Sequence, residues 1–245
     1  MINKKVTVRV DDVRFNMTGI EENFITQLQL RANVIVYLCV TPYWLRCKDL
    51  GDVQNYSQEH IPDDNVQKSI TVIRKLTSKT NVKIASHGLF HFYEEKIKYG
   101  KRKLVPEWKH ICKSAFMRDL KLSCTKISDV IGVYPMAVSP PSNIMSSDAW
   151  RHCYATGVDV IAPRSNIKNE AFLRFAIKLP ILWKLYAILG LTIYIPVYNQ
   201  SALKTLKHIF THTKELPHVV ILVHPWEIEI EELIEVLNAK TKFTT

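Results

Sequence analysis

The stretch KKVTVRVDDV, residues 4–13, sets the architecture of this chain. Val6, Val8 and Val10 alternate with polar residues, which is the period of a strand with one apolar face. Two acids, Asp11 and Asp12, close it. A strand ending in adjacent carboxylates raises two questions: what covers its valines, and what answers its charge.

The flanking sequence answers the first. Residues 20–31 read as a helix, NVIVYLCV (33–40) as a buried strand and 48–63 as a polar loop. DDNVQKSITVIRKLTS (63–78) reads as a helix with acids at its start, where the helix dipole favours them. A strand then leads into Ser86-His87, followed by a basic loop, KIKYGKRK (96–103), and a long helix over about 107–131. The second half repeats the alternation. YPMAVSPP (134–141) reads as a strand ended by prolines, and SSDAWRHCYATG (146–157) as a helix capped by serine and closed by Gly157. Strand VDVIAP, an apolar unit, helix SALKTLKHIFTHT, strand HVVILVHP and helix EIEIEELIEVLNAK complete the chain. Such alternation predicts an α/β fold with parallel strands, a single domain over residues 1–245 closed or nearly closed into a barrel. With 245 residues, only 7 glycines and no low-complexity tract, no linker is expected.

In such barrels active groups collect at the C-terminal ends of strands. In order, those ends carry Asp11-Asp12, His87 with His91, Pro140-Pro141-Ser142-Asn143, and His224. Imidazole nitrogen and carboxylate oxygen are zinc ligands, and a catalytic site uses three of them with a position left open. His87 and His91, in the run IASHGLFHFY (84–93), point the same way if the chain turns helically after the strand, and Gly88 eases the backbone there. One acid completes a His, His, Asp set. Its neighbour, aimed differently along the strand, is left to act as a base, with a remote imidazole as acid. By contrast, His208 and His212 share the same spacing on a lysine-bearing helix with no acidic partner and read as surface histidines.

VDDV (10–13), SHGLFH (86–91), SPPSN (139–143) and LVHPWE (222–227) resemble the motifs of the polysaccharide deacetylases, the NodB-homology or family-four carbohydrate esterase group. The resemblance runs in the family's order from residue 6 to about 227. It implies a distorted (β/α)7 barrel and a metal-dependent hydrolase that removes an acyl group, usually acetyl, from a sugar. Carried over residue by residue, it makes Asp11 the general base and Asp12, His87 and His91 the metal ligands. His224 becomes the general acid and the Ser142 N–H an oxyanion donor beside Pro141, with Trp226 as a wall of the acyl pocket. Zinc is the expected ion, with manganese, cobalt or nickel as alternatives. Two positions depart from the pattern. Ser139 stands where the family often has an arginine that orients the base, and Asn143 stands for a glycine.

Charge and composition bear on partners. The net charge of +10 suits a solvated basic loop, or a surface that draws phosphate or lipid headgroups. Without zinc-finger spacing or a long arginine-rich arm, no nucleic-acid partner is expected. Five cysteines, an odd number with no CxxC pair, favour reduced thiols, and MINKKVTVRVDD has no apolar signal region, so a cytoplasmic location is expected. The apolar unit LPILWKLYAILGLTIYIPV (179–197) is interrupted by Pro180, Lys184, Gly190 and Pro196. It reads as a buried helix then strand, with peripheral contact at the inner face of a membrane as the alternative. The expected substrate is therefore an amino sugar in glycan or cell-envelope biosynthesis, lipid-linked or nucleotide-linked. A non-catalytic carbohydrate-binding protein on the same barrel is the competing reading, and the oligomeric state is left open.

Overall fold

Strand β1 (Val6–Val13) lies inside a seven-stranded sheet in a computed structural model that describes residues 6–29, 34–42, 63–96, 102–162, 192–212 and 218–241. Its valines alternate as the sequence predicts. Val6, Val8 and Val10 face outward into the main core, while Arg9 and Asp11 face inward. β1 pairs on one side with β2 (Ile35–Val40) and on the other with β9 (His218–Val223). β3 (Val82–Ser86), β6 (Ala137–Val138) and β7 (Asp159–Val160) extend the sheet beyond β2, and β8 (Thr192–Pro196) extends it beyond β9. All of these ladders are parallel.

The sheet curls into a half-barrel. Cys39, Ala85, Ala137, Ile161 and Val220 meet on its inner face with Tyr37 and Tyr194, although they come from strands far apart in sheet order. Small residues on β3 and β6 suit the tight interior. Among the described residues no ladder joins the edge strands β7 and β8, and the curled sheet with its helices is the distorted (β/α)7 barrel expected from the sequence.

Helices cover the outer face: α1 (Gly19–Gln29), α2 (Asp63–Thr77), α3 (Lys113–Ile131), α4 (Ser147–Thr156), α5 (Gln200–His212) and α6 (Ile230–Thr241). Phe24, Leu28, Ile73, Ile127, Leu206, Phe210 and Leu233 bury their side chains against the outward valines and isoleucines of the sheet. Burying one such side chain contributes roughly 1.5–3 kcal/mol. The main core is therefore a helix–sheet layer outside the barrel, and the interior holds a small apolar cluster beside polar groups such as Arg9 and Asp11.

Two expectations need correction. The segment read as a basic loop is flanked by an antiparallel hairpin, β4 (Phe92–Lys96) with β5 (Arg102–Pro106). The helix expected from about residue 107 begins at Lys113 instead. Residues 107–112 are held in turns, with the Lys109 N–H donating to the Pro106 carbonyl and the Glu107 carboxylate turned back onto the segment before the hairpin. The caps of α4 are as read: Ser146 accepts the Ala149 N–H, and Gly157 is left-handed at φ 70°. Of the apolar unit 179–197, only the strand half is described. Ile193, Ile195 and Val197 are buried, whereas Trp183, Leu185 and Ile188 lie outside the described residues, as does the polar stretch 48–62. No helix among the described residues is long and apolar enough to cross a membrane.

Candidate metal centre and active site

The end of β1 does not continue as a plain strand. Its pairing with β2 shifts register between Val10 and Val13, and Asp12 adopts φ 60°. A bulge of this kind re-aims side chains that would otherwise alternate across the sheet. Consequently both acids reach the same mouth, in contrast to the divergent aim expected of neighbours on a strand. The His87 Nε2 atom lies 3.2 Å from Asp12 Oδ1 and 3.8 Å from Asp11 Oδ2.

His87 and His91 converge without the helical turn expected from their spacing. Gly88 (φ 84°) and His91 (φ 71°) are left-handed, and these two reversals fold the segment back on itself. The rings lie 4.9 Å apart. A Cβ on Gly88 would come within 2.5 Å of Glu107 Oε2 and 2.9 Å of Pro141 Cγ, so only glycine fits. Glu107 accepts the N–H groups of Leu89, Phe90 and His91 at 2.8, 2.8 and 3.0 Å. Ser123 donates to the Gly88 carbonyl and Thr41 to the His87 carbonyl, which pins the segment from α3 and from the end of β2.

Asp12, His87 and His91 place one ligand atom each within 4.8 Å of one another, all in buried side chains. His91 Nε2 is 3.1 Å from Asp12 Oδ1. A tetrahedral ion with bonds of about 2.1 Å has ligand–ligand edges of about 3.4 Å, close to these separations. The protonation pattern agrees. His87 Nδ1 is 2.8 Å from the Ser139 carbonyl, which can only accept, so a ring hydrogen sits there and Nε2 is the atom turned to Asp12 as the ligand position. Asp12 Oδ1 is buried and has no hydrogen bond. A buried carboxylate oxygen facing imidazole nitrogens without a hydrogen bond is costly unless a cation lies between them. The residues fit a divalent metal.

Electrostatics separate the two acids. Burial pushes Asp12 up, but the adjoining His87 and His91 imidazoles outweigh it and hold the carboxyl well below the usual range. Burial likewise opposes ionised Asp11, and the Arg9 guanidinium, followed by His87, holds it low. Arg9 is fully buried and donates through Nε to Asp11 Oδ1 at 2.7 Å and through Nη2 to Asp11 Oδ2. Ser139 Oγ adds a longer bond to Asp11 Oδ1 at 3.3 Å.

His224, just past β9, faces the same mouth, with Nε2 3.4 Å from Asp12 Oδ2. Its Nδ1 bonds Glu227 Oε2 at 2.8 Å, and its ring lies stacked between Tyr198 and Trp226, 5.2 Å from each. Trp226 is 48% exposed, and the Arg14 guanidinium carbon lies 5.8 Å from its ring centroid. Pro141–Asn143 forms a single 3₁₀ turn in which Ser142 (φ 53°) and Asn143 (φ 58°) are left-handed. Asn143 Oδ1 accepts from Arg9 Nη1 at 2.7 Å.

Asp11, Asp12, His87, His91 and His224 thus lie together at one mouth, with Trp226 stacked on His224 and the Pro141–Asn143 turn tied to Asp11 through Arg9. Four contributors were not singled out. Arg9 shares the inward parity of Asp11, which is a readable signal, and Glu227 stands three residues after His224. Tyr198 and Glu107 carry no local signal, because only the fold brings them in. His208 is exposed, as read.

No family model matches the chain, and no curated protein sequence matches it. Solved structures do. The Bc1960 peptidoglycan N-acetylglucosamine deacetylase, in complex with 4-naphthalen-1-yl-N-oxidanyl-benzamide, aligns at a TM-score of 0.55 and 12% identity over 99% of this chain and 85% of that one. Wild-type BA3943 from Bacillus anthracis, a CE4 family pseudoenzyme, aligns at 0.53 and 11% identity over 99% of this chain. This chain spans 62% of the BA3943 chain, under two thirds of its length. A family 4 acetyl xylan esterase from Clostridium thermocellum, in complex with a cobalt ion, aligns at 0.50 and 11% identity over 98% of this chain and 82% of that one. At these identities the likeness is one of fold: the chain has the fold of the CE4 deacetylases.

Proposed function

We propose that this chain, which carries the fold of the CE4 deacetylases, is a metal-dependent hydrolase that removes an acyl group, most simply N-acetyl, from an amino sugar. The observation that carries the reading is the convergence of the Asp12, His87 and His91 ligand atoms, with Asp11 and His224 within 3.8 and 3.4 Å of members of that set. A divalent cation held by those three residues would supply a Lewis acid for the acyl carbonyl and acidify water. Asp11, kept ionised, accepts the proton of the attacking water. The Ser142 N–H lies on the turn that would face the developing oxyanion. His224, oriented by Glu227, gives a proton to the departing nitrogen as the C–N bond breaks, so that acetate and a free amine leave. Trp226 walls the side by which the acyl group enters.

Several carriers for the sugar suit this chain. A nucleotide or lipid pyrophosphate would match its net charge of +10, and a cytoplasmic enzyme of envelope glycan synthesis would meet both. Acetate and formate release from nucleotide-linked, lipid-linked and oligomeric N-acyl amino sugars, assayed with the zinc-loaded full chain, tests the reading. Release that disappears in Asp11→Asn while zinc stays bound supports it. His224→Ala should lose roughly 10²–10⁴-fold in rate. BA3943 shows that this fold also occurs in a pseudoenzyme. Sugar binding without release of either acid, in metal-loaded protein, would favour the non-catalytic carbohydrate-binding reading.

A further inference from the structure

We infer that Arg9 is the positioning residue of the site, and that it locks Asp11 to the turn that presents Ser142. The inference rests on the hydrolase reading for the role of Asp11, but its geometry stands by itself. The Arg9 side chain is fully buried inside the half-barrel, two residues before Asp11 on the same face of β1. Its Nε and Nη2 grip both oxygens of the Asp11 carboxylate. Nη1 continues the chain of bonds to Asn143 Oδ1 at 2.7 Å and to the Ile161 carbonyl at 2.6 Å. One rigid guanidinium therefore fixes the plane of the Asp11 carboxylate, the Pro141–Asn143 turn and the end of β7.

A fork of this kind cannot be imitated by lysine, which is a point charge on a flexible stem. Nor is stability a sufficient reason for it, because a buried ion pair of this type is often no more stabilising than apolar side chains of the same volume. What the pair supplies is position. A carboxylate held by a single bond can turn about its own axis, whereas one held at both oxygens keeps one lone pair aimed at the mouth. Asn143 then acts through Arg9: its side chain sets how far the turn stands from the base.

The test uses the zinc-loaded full chain with p-nitrophenyl acetate and penta-N-acetylchitopentaose as probes. Arg9→Lys and Arg9→Ala should lose about 10²-fold in kcat, the scale of a misplacement near 1 Å, with KM and zinc affinity little changed. Added guanidinium should restore part of the loss in Arg9→Ala, and methylammonium at equal ionic strength should not. Asn143→Gly, which keeps the left-handed turn, should show a smaller loss of the same kind. Folded, zinc-bound Arg9 variants with wild-type kcat would overturn the inference, as would a loss that guanidinium never rescues. If Arg9→Ala does not fold, Arg9→Lys and Asn143→Gly carry the test. If the wild type cleaves neither probe, crystal structures of wild type and Arg9→Lys decide. A turned Asp11 carboxylate sustains the inference while the hydrolase reading falls, and an unmoved one overturns it.

Discussion

Glu107 and His91 hold each other by a reciprocal pair of hydrogen bonds across 16 residues of chain: the Glu107 carboxylate accepts the His91 N–H at 3.0 Å, and the Glu107 N–H donates to the His91 carbonyl at 3.0 Å. The hairpin β4–β5 spans the interval between them. A candidate ligand histidine is therefore tethered to the far end of a hairpin, and its left-handed backbone is held by a buried carboxyl group.

Glu107→Gln should loosen that tether. Glutamine keeps one acceptor oxygen but turns an amide group toward N–H donors where the second oxygen stood. Partners that orient a metal ligand typically account for about 10–100-fold in affinity, and a loss in that range is expected for zinc or cobalt by calorimetry. Unchanged affinity would show that the segment holds His91 without Glu107.

Gly88→Ala strikes the same segment from the backbone side. At φ 84° a Cβ costs roughly 1–2 kcal/mol, before the close approach to Glu107 and Pro141 is counted. Thermal unfolding should show a destabilisation of at least about that size. Zinc affinity should fall with it, because Glu107 must move. A variant as stable as the wild type, with full affinity, would contradict the packing described for Gly88.

The thiols divide sharply. Burial pushes Cys124 and Cys153 up to about 11, so at pH 8 only about 10⁻³ of either is thiolate. Cys39 is fully buried and raised as well. Cys112 is exposed at the start of α3, where the Ser114 hydroxyl, followed by the Ala115 N–H, pulls its thiol down. Iodoacetamide at pH 8 in native conditions should label Cys112 well before these three, as read by peptide mass spectrometry. Equal labelling of Cys112 and Cys153 would mean that α4 opens readily.

Much of this was legible in the sequence, for physical reasons that differ by residue. Alternation at Val6, Val8 and Val10 encodes which face of β1 meets helices, since period and burial are the same fact. Ser146 and Gly157 encode the ends of α4, because capping is local. The aim of Asp12 was not legible, because a bulge in the β1–β2 ladder sets it and no local pattern marks the register shift. Glu107 read as the start of a helix, and its fold-dependent bonds to residues 89–91 delay that helix to Lys113. Strands β6 and β7 are only two residues each, so the sequence overstates them.

The pH dependence should expose Glu227 as the partner of the acid. Burial alone would push His224 down. The hydrogen bond to Glu227 and the charges of Asp12 and Asp11 outweigh burial, and the imidazole stands above its ordinary value of 6.5. A general acid donates only when protonated. With His224 as the proposed acid, activity is expected below the raised pKa and should be lost as pH climbs through it. The same raised value adds stability that is complete below 6.5 and fades as pH rises through the folded-state pKa. Glu227→Gln removes the charge and the acceptor that lift His224, so the pKa falls. The basic limb of the kcat/KM profile should then move to lower pH, with the acid limb, set by Asp11, staying in place. Measured on the zinc-loaded protein, a basic limb that does not move in Glu227→Gln would mean that His224 is not the group whose proton the reaction uses.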